Sequence, residues 1–156
     1  MTMHRMMKKA LMLCALFVYT SLAMAAGVLS KADTDGIFAM KLAEWEDNAP
    51  KYAQPNWKMK LKKVDTGTKL MAYDAKTGIW LSIQPVFNDA QSAPASLIVA
   101  SYYQTGSLQV PFADVKQEIE ADAAKDLGAG YTVSANFEQE TAQLEAIKLT
   151  ITKLAP

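Results

Sequence analysis

From Trp57 to Val64 the chain alternates one for one. Trp57, Met59 and Leu61 fall on one parity, and Lys58, Lys60 and Lys62 on the other. Period two with a charged parity predicts a strand with one wet face, Trp57, Met59 and Leu61 pointing inward. Asp65-Thr66-Gly67-Thr68 comes next as a turn, and Lys69 to Asp74 returns as a second strand. After a turn at Ala75-Lys76-Thr77-Gly78, Ile79 to Gln84 is a third strand, with Ile79, Leu81 and Ile83 on one face. Trp80 points the opposite way, so that second face is expected to be covered there. Pro85 is expected to end this strand, because proline cannot donate to a ladder. Asn88 to Ala95 is polar and reads as a loop, and Leu97 to Tyr103 is apolar at nearly every position, as in a central strand buried on both faces.

Two segments carry helical spacing instead. Asp35 to Asn48 places Phe38, Leu42, Trp45 and Ala49 on one stripe, with Asp33, Thr34 and Asp35 as cap candidates and Pro50 as a stop. Pro111 suits the first turn of a second helix, whose stripe Phe112, Val115, Ile119, Ala123, Leu127 ends at Gly128. Tyr131 to Gln139 alternates again, with Tyr131, Val133, Ala135 and Phe137 inward, and Leu144 to Thr152 is the last strand. The order helix, four strands, helix, two strands predicts an α+β fold, a mainly antiparallel sheet of about six strands packed with two helices.

The first 25 residues read as a secretory signal peptide: His4, Arg5, Lys8 and Lys9, then an apolar run from Leu11 to Tyr19, then Ala23-Met24-Ala25. Cleavage after Ala25 would leave residues 26–156 as one domain in a periplasm or outside the cell. The competing reading is an uncleaved membrane anchor at residues 10–30, an uncharged stretch that reaches the roughly 20 residues a spanning helix needs. With the leader removed, membrane contact would be peripheral only.

Removal of the leader changes the chemistry on offer. Every histidine, arginine and cysteine lies in the first fourteen residues, at His4, Arg5 and Cys14. The mature chain then has no imidazole base, no thiolate, no disulfide and no guanidinium fork. Losing Arg5, Lys8 and Lys9 from the 16 cations leaves 13 lysines against 16 acids, a net charge of −3. That balance argues against nucleic acid as a partner. No G-x-S-x-G, S-x-x-K or glycine-rich phosphate loop is present. Met40, Met59 and Met71 are too few for a soft-metal site, and no cofactor is expected.

Three surfaces remain. Between Lys51 and Lys76 seven lysines face only Asp65 and Asp74, and Lys58, Lys60 and Lys62 share one strand face, suited to an acidic protein partner or an anionic cell-envelope component. Lysines there also discourage edge-to-edge pairing of sheets. Asp114, Glu118, Asp122 and Asp126 repeat every fourth residue along one helix face, a row that offers oxygen ligands to a divalent cation or is simply a solvated face. Of the aromatics, Trp45 and Trp57 are expected in the core, while Trp80 and one of the adjacent pair Tyr102 and Tyr103 face the other way. The expected function is a non-enzymatic binding or interaction module working through the lysine face. The alternatives are a carboxylate-based divalent-cation binder and a hydrolase using carboxylates or a serine–lysine pair.

From Lys69 onward the chain resembles the PsbP-like and DcrB-like α/β sandwich proteins of export compartments. The residues concerned are Gly78-Ile79-Trp80-Leu81-Ser82-Ile83-Gln84-Pro85, the strand from Leu97 to Tyr103, Ser107-Leu108 leading into the helix, Gly130-Tyr131-Thr132-Val133 and the closing strand Leu144 to Thr152. Where that family often has a proline–aromatic step, this chain reads Pro85-Val86-Phe87. The resemblance implies a sandwich fold and assigns no catalytic residue.

Overall fold

The alternating segments do form strands: β1 (Lys58–Val64), β2 (Gly67–Tyr73), β3 (Trp80–Val86), β4 (Ser96–Gln104), β5 (Tyr131–Gln139) and β6 (Leu144–Lys153). They come from a computed structural model that describes residues 29–108 and 110–156. The expected leader at residues 1–25, and nearly all of the alternative anchor, lie outside the described residues. The six strands make one antiparallel sheet in the order β1-β2-β3-β4-β6-β5, and helices α1 (Lys31–Phe38), α2 (Leu42–Asn48) and α3 (Phe112–Leu127) complete the α+β fold. No helix among the described residues is long and apolar enough to cross a membrane.

Helix α3 carries the chain from β4 to the far edge strand β5, and β6 then turns back between β5 and β4. Its stripe Val115, Ile119 and Ala123 packs on Ala135, Ile147 and Leu149. At the other end of the same sheet face, Ile37, Phe38 and Trp45 cover Leu70, Leu81, Ile83, Leu97 and Val99, with Leu127 and Tyr131 closing the cluster. Burial of these branched and aromatic side chains is the main stabilising term. The Tyr131 hydroxyl donates to Asp35, tying α1 to the start of β5. Lys31 and then that hydroxyl hold the Asp35 carboxyl below its usual range, and burial raises the Tyr131 phenol.

The helix expected over Asp35–Asn48 is two helices. Ser30 caps α1 in a reciprocal box with Asp33, one turn earlier than the spacing suggests. The chain then leaves the α1 axis at Ala39, whose N–H donates to Gly36 O, and Met40 N–H donates to Ile37 O. A second start comes directly after, in which Glu44 Oε2 accepts the Lys41 N–H at 2.8 Å. The stripe continues across the break because both helices bury the same side, so periodicity alone could not reveal it.

Pro85 lies inside β3 and does not end it. Leu70 opposes Ile83, so two residues along the same register Thr68 opposes Pro85, and Phe87 N–H donates to Thr66 O at 2.9 Å one step further. Proline has no N–H to give the Thr68 carbonyl. The indole Nε1–H of Trp45 fills that rung at 2.7 Å. Glu46, the next residue on α2, accepts the Thr68 hydroxyl at 2.6 Å and the Lys63 ammonium at 2.8 Å. Lys63 and Thr68 together hold its carboxyl below the usual range.

Strand β1 also departs from expectation. Only Trp57, at its threshold, packs against the core, while Met59 and Leu61 are 51% and 39% exposed. Helix α2 lies over β2 and reaches β1 through Glu46 and Lys63, so β1 extends beyond the helical layer.

Candidate functional site

Among the described residues, all three helices lie on one face of the sheet, and the other face carries strand residues and no helix. Pairing aligns them in rows. In one row Lys58 opposes Tyr73, Tyr73 opposes Trp80, and Tyr102 opposes Ala146. The Trp80 and Tyr102 rings close the gap between β3 and β4, 5.2 Å apart and tilted by 40°. In the next row Lys60, Met71, Ser82, Ala100 and Lys148 oppose one another in turn. Tyr103 packs on the helical side, which resolves the adjacent tyrosine pair.

This face is dry at its centre. Ala100 and Ala146 are 1% and 0% exposed and Tyr102 is 9% exposed, packed with Trp80 and Leu144. A groove of about 970 Å³ runs along this face from Lys58 and Lys60, past the Trp80 and Tyr102 rings, to Gln104 and Leu144. Burial raises the Tyr102 phenol, which stays neutral and shares a hydrogen bond of 3.0 Å with the Ser82 hydroxyl.

The positive charge on this face is unevenly compensated. Lys148 contacts Glu138 at 2.7 Å and Glu140 at 2.6 Å. Burial opposes its charge, but the two carboxylates outweigh it and raise the ammonium above its ordinary value. Lys69, opposite Lys62, is lowered by burial and then by that neighbouring charge. Among the described residues Lys58, Lys60 and Lys62 have no carboxylate within ion-pair distance. Lys58 and Lys60 line the groove; Lys62 lies one row beyond its lining residues. Lys58, Lys60 and Lys62 thus share one strand face, and the first two border an apolar cleft. The chain matches no family model, curated protein or solved structure.

Asp114, Glu118, Asp122 and Asp126 are all exposed along α3, on the opposite side of the sheet from the groove. No set of three or more metal-capable side chains converges among the described residues. Glu138 and Glu140 do meet, as shared counterions of Lys148. The lysine ammonium bonds within the described residues go to Asp35, Asn48, Glu46, Glu120, Glu138, Glu140 and the Ala135 carbonyl, and none goes to a serine.

Met71, Tyr73 and Leu144 belong to the groove, and the alternation of β1 gives no hint of them. A signal for two of the three exists elsewhere. β2 is apolar on both parities, with Leu70 and Ala72 on one and Met71 and Tyr73 on the other. A strand of that kind has no purely wet face.

Proposed function

We propose that this protein is an exported, periplasmic-type binding module without enzymatic activity, and that its ligand lies on the sheet face opposite the described helices, against Lys58 and Lys60. The observation carrying this reading is the pairing of two uncompensated lysines with an apolar groove floored by Trp80 and Tyr102. Concave, mostly apolar surfaces with a few convergent polar groups are where ligands bind. Export is supported by the basic, apolar and small-residue order of the first 25 residues, and by a remaining chain without cysteine. The partner is an anionic cell-envelope component or an acidic protein surface. The cation-binding alternative has no set of three or more metal-capable side chains among the described residues to support it, and Glu138 and Glu140, the carboxylate pair that meets, are engaged as counterions of Lys148.

Intact-mass analysis of the exported material, combined with mild crosslinking, tests both parts. A mature product beginning at Ala26 is expected, and one retaining the first 25 residues overturns the export reading. The Lys58→Glu, Lys60→Glu double variant should lower the affinity for the recovered partner about tenfold or more at low salt. Undiminished affinity removes this face from the function.

A further inference from the structure

We infer that the groove takes a single-chain amphiphilic anion. Its carboxylate or phosphate head pairs with Lys58 and Lys60, and its flexible apolar tail lies across Met71, Trp80, Tyr102 and Leu144. The inference rests on the binding function proposed for this face and specifies the ligand class.

The charge comes first. The groove is lined by two lysines and by no acid, and both lysines stand at the β1 end. Lys62 and its neighbour Lys69 lie one row beyond the groove at the same β1–β2 end, and Lys148, at the other end of the row from Lys60, is already neutralised by Glu138 and Glu140. An anionic head is therefore attracted to one end of the cleft and not to its middle. A carboxylate or phosphate accepting from an ammonium forms the stronger, charge-assisted type of hydrogen bond.

The remainder of the groove calls for apolar matter. Away from the lysines its floor is ring and thioether surface, and the far end is closed by the uncharged side chains of Gln104, Ser107 and Gln143. Small hydrophilic anions would leave that floor wet. A hydrocarbon tail removes it from water at about 25 cal/mol per Å². The cleft also has the right length, because β1 to β6 spans four inter-strand steps, roughly 19 Å at about 4.8 Å each. An extended chain of about a dozen carbons with its head fits that span.

Concavity distinguishes a free amphiphile from a bilayer. The groove is recessed between the side chains of Lys58, Met71, Tyr73, Trp80, Tyr102 and Leu144, so a single chain can enter where a flat headgroup surface cannot. The site volume, about 970 Å³, lies within the range for small-molecule pockets of roughly 300–1,000 Å³.

Calorimetric titration of the purified protein with sodium laurate, kept below its micelle concentration, tests this directly. One site per chain is expected. Dodecyltrimethylammonium, with the same tail and the opposite charge, should bind at least thirtyfold more weakly, and acetate should give no heat. Lys58→Gln with Lys60→Gln should weaken laurate about tenfold, and Met71→Glu, which places a charge on the half-exposed floor, should abolish binding; an unchanged melting temperature in each variant shows that the fold is intact. Equal affinity for the two dodecyl probes, absence of laurate binding, or laurate binding indifferent to all three substitutions overturns the inference. Sedimentation with phosphatidylglycerol vesicles without binding of monomeric laurate also overturns it, while leaving the lysine surface in place as a binding face.

Discussion

Replacing Trp45 by Phe tests how α2 is fastened to the sheet. Trp45 is completely buried, its ring packs 5.7 Å from that of Tyr52, and its indole N–H serves the Thr68 carbonyl at 2.7 Å. Phenylalanine keeps an aromatic ring in the slot but has no donor. A buried carbonyl left without its partner costs about 1–3 kcal/mol. The smaller ring withdraws roughly 40 Å² of apolar contact, about 1 kcal/mol at about 25 cal/mol per Å². The expected loss is therefore about 2–4 kcal/mol, equivalent to a fall in Tm of about 10 °C for a domain of this size. Urea titration and thermal unfolding followed by far-UV circular dichroism measure it. Because Pro85 creates the vacancy that Trp45 fills, the loss should be smaller by about 1 kcal/mol in a Pro85→Ala background, where a backbone N–H becomes free to serve Thr68. A loss below about 1 kcal/mol in the single variant, or the same loss in both backgrounds, refutes the hydrogen-bond argument.

Glu46 makes the acid limb of stability testable. Its folded pKa lies below the ordinary value of 4.5 because Lys63 and Thr68 hydrogen-bond the carboxylate. Its contribution is thus complete above 4.5 and is lost as pH falls through the lower folded value. Glu46→Gln should flatten the decline in urea midpoint below that pH, and an unchanged acid slope would show that Glu46 has no part in it. Gly67 sits at φ +136°, and a Cβ there would stand 3.1 Å from the Phe87 ring and 3.4 Å from the Leu42 side chain. Gly67→Ala should cost about 1–3 kcal/mol, whereas Gly130→Ala, in open space, should be neutral or stabilising by up to about 1 kcal/mol. Equal melting temperatures for the two variants would contradict the steric account.

Part of the proposed binding face was legible before any tertiary contact was known. The alternation from Lys58 to Lys62 placed the lysines together, and Trp80 stood out because its parity opposed Leu81 and Ile83. The tyrosine pair could not be resolved, since adjacent strand residues face opposite ways and either phase of β4 is apolar. Met71, Tyr73 and Leu144 became neighbours of the lysines only through pairing across strands far apart in sequence.

By itself the sequence determined which segments extend and which coil, because period two and the 3.6-residue stripe are local consequences of burying one side of an element. It also determined the chemistry on offer beyond residue 14, which is lysine, carboxylate, hydroxyl and ring. Tertiary structure decided what each face meets. Insertion of β6 between β4 and β5, placement of the three described helices on one side, and Trp45 supplying the rung that Pro85 withholds are all long-range choices. Alternation specifies that a side chain points up or down, but what lies above it depends on packing between elements that are distant along the chain.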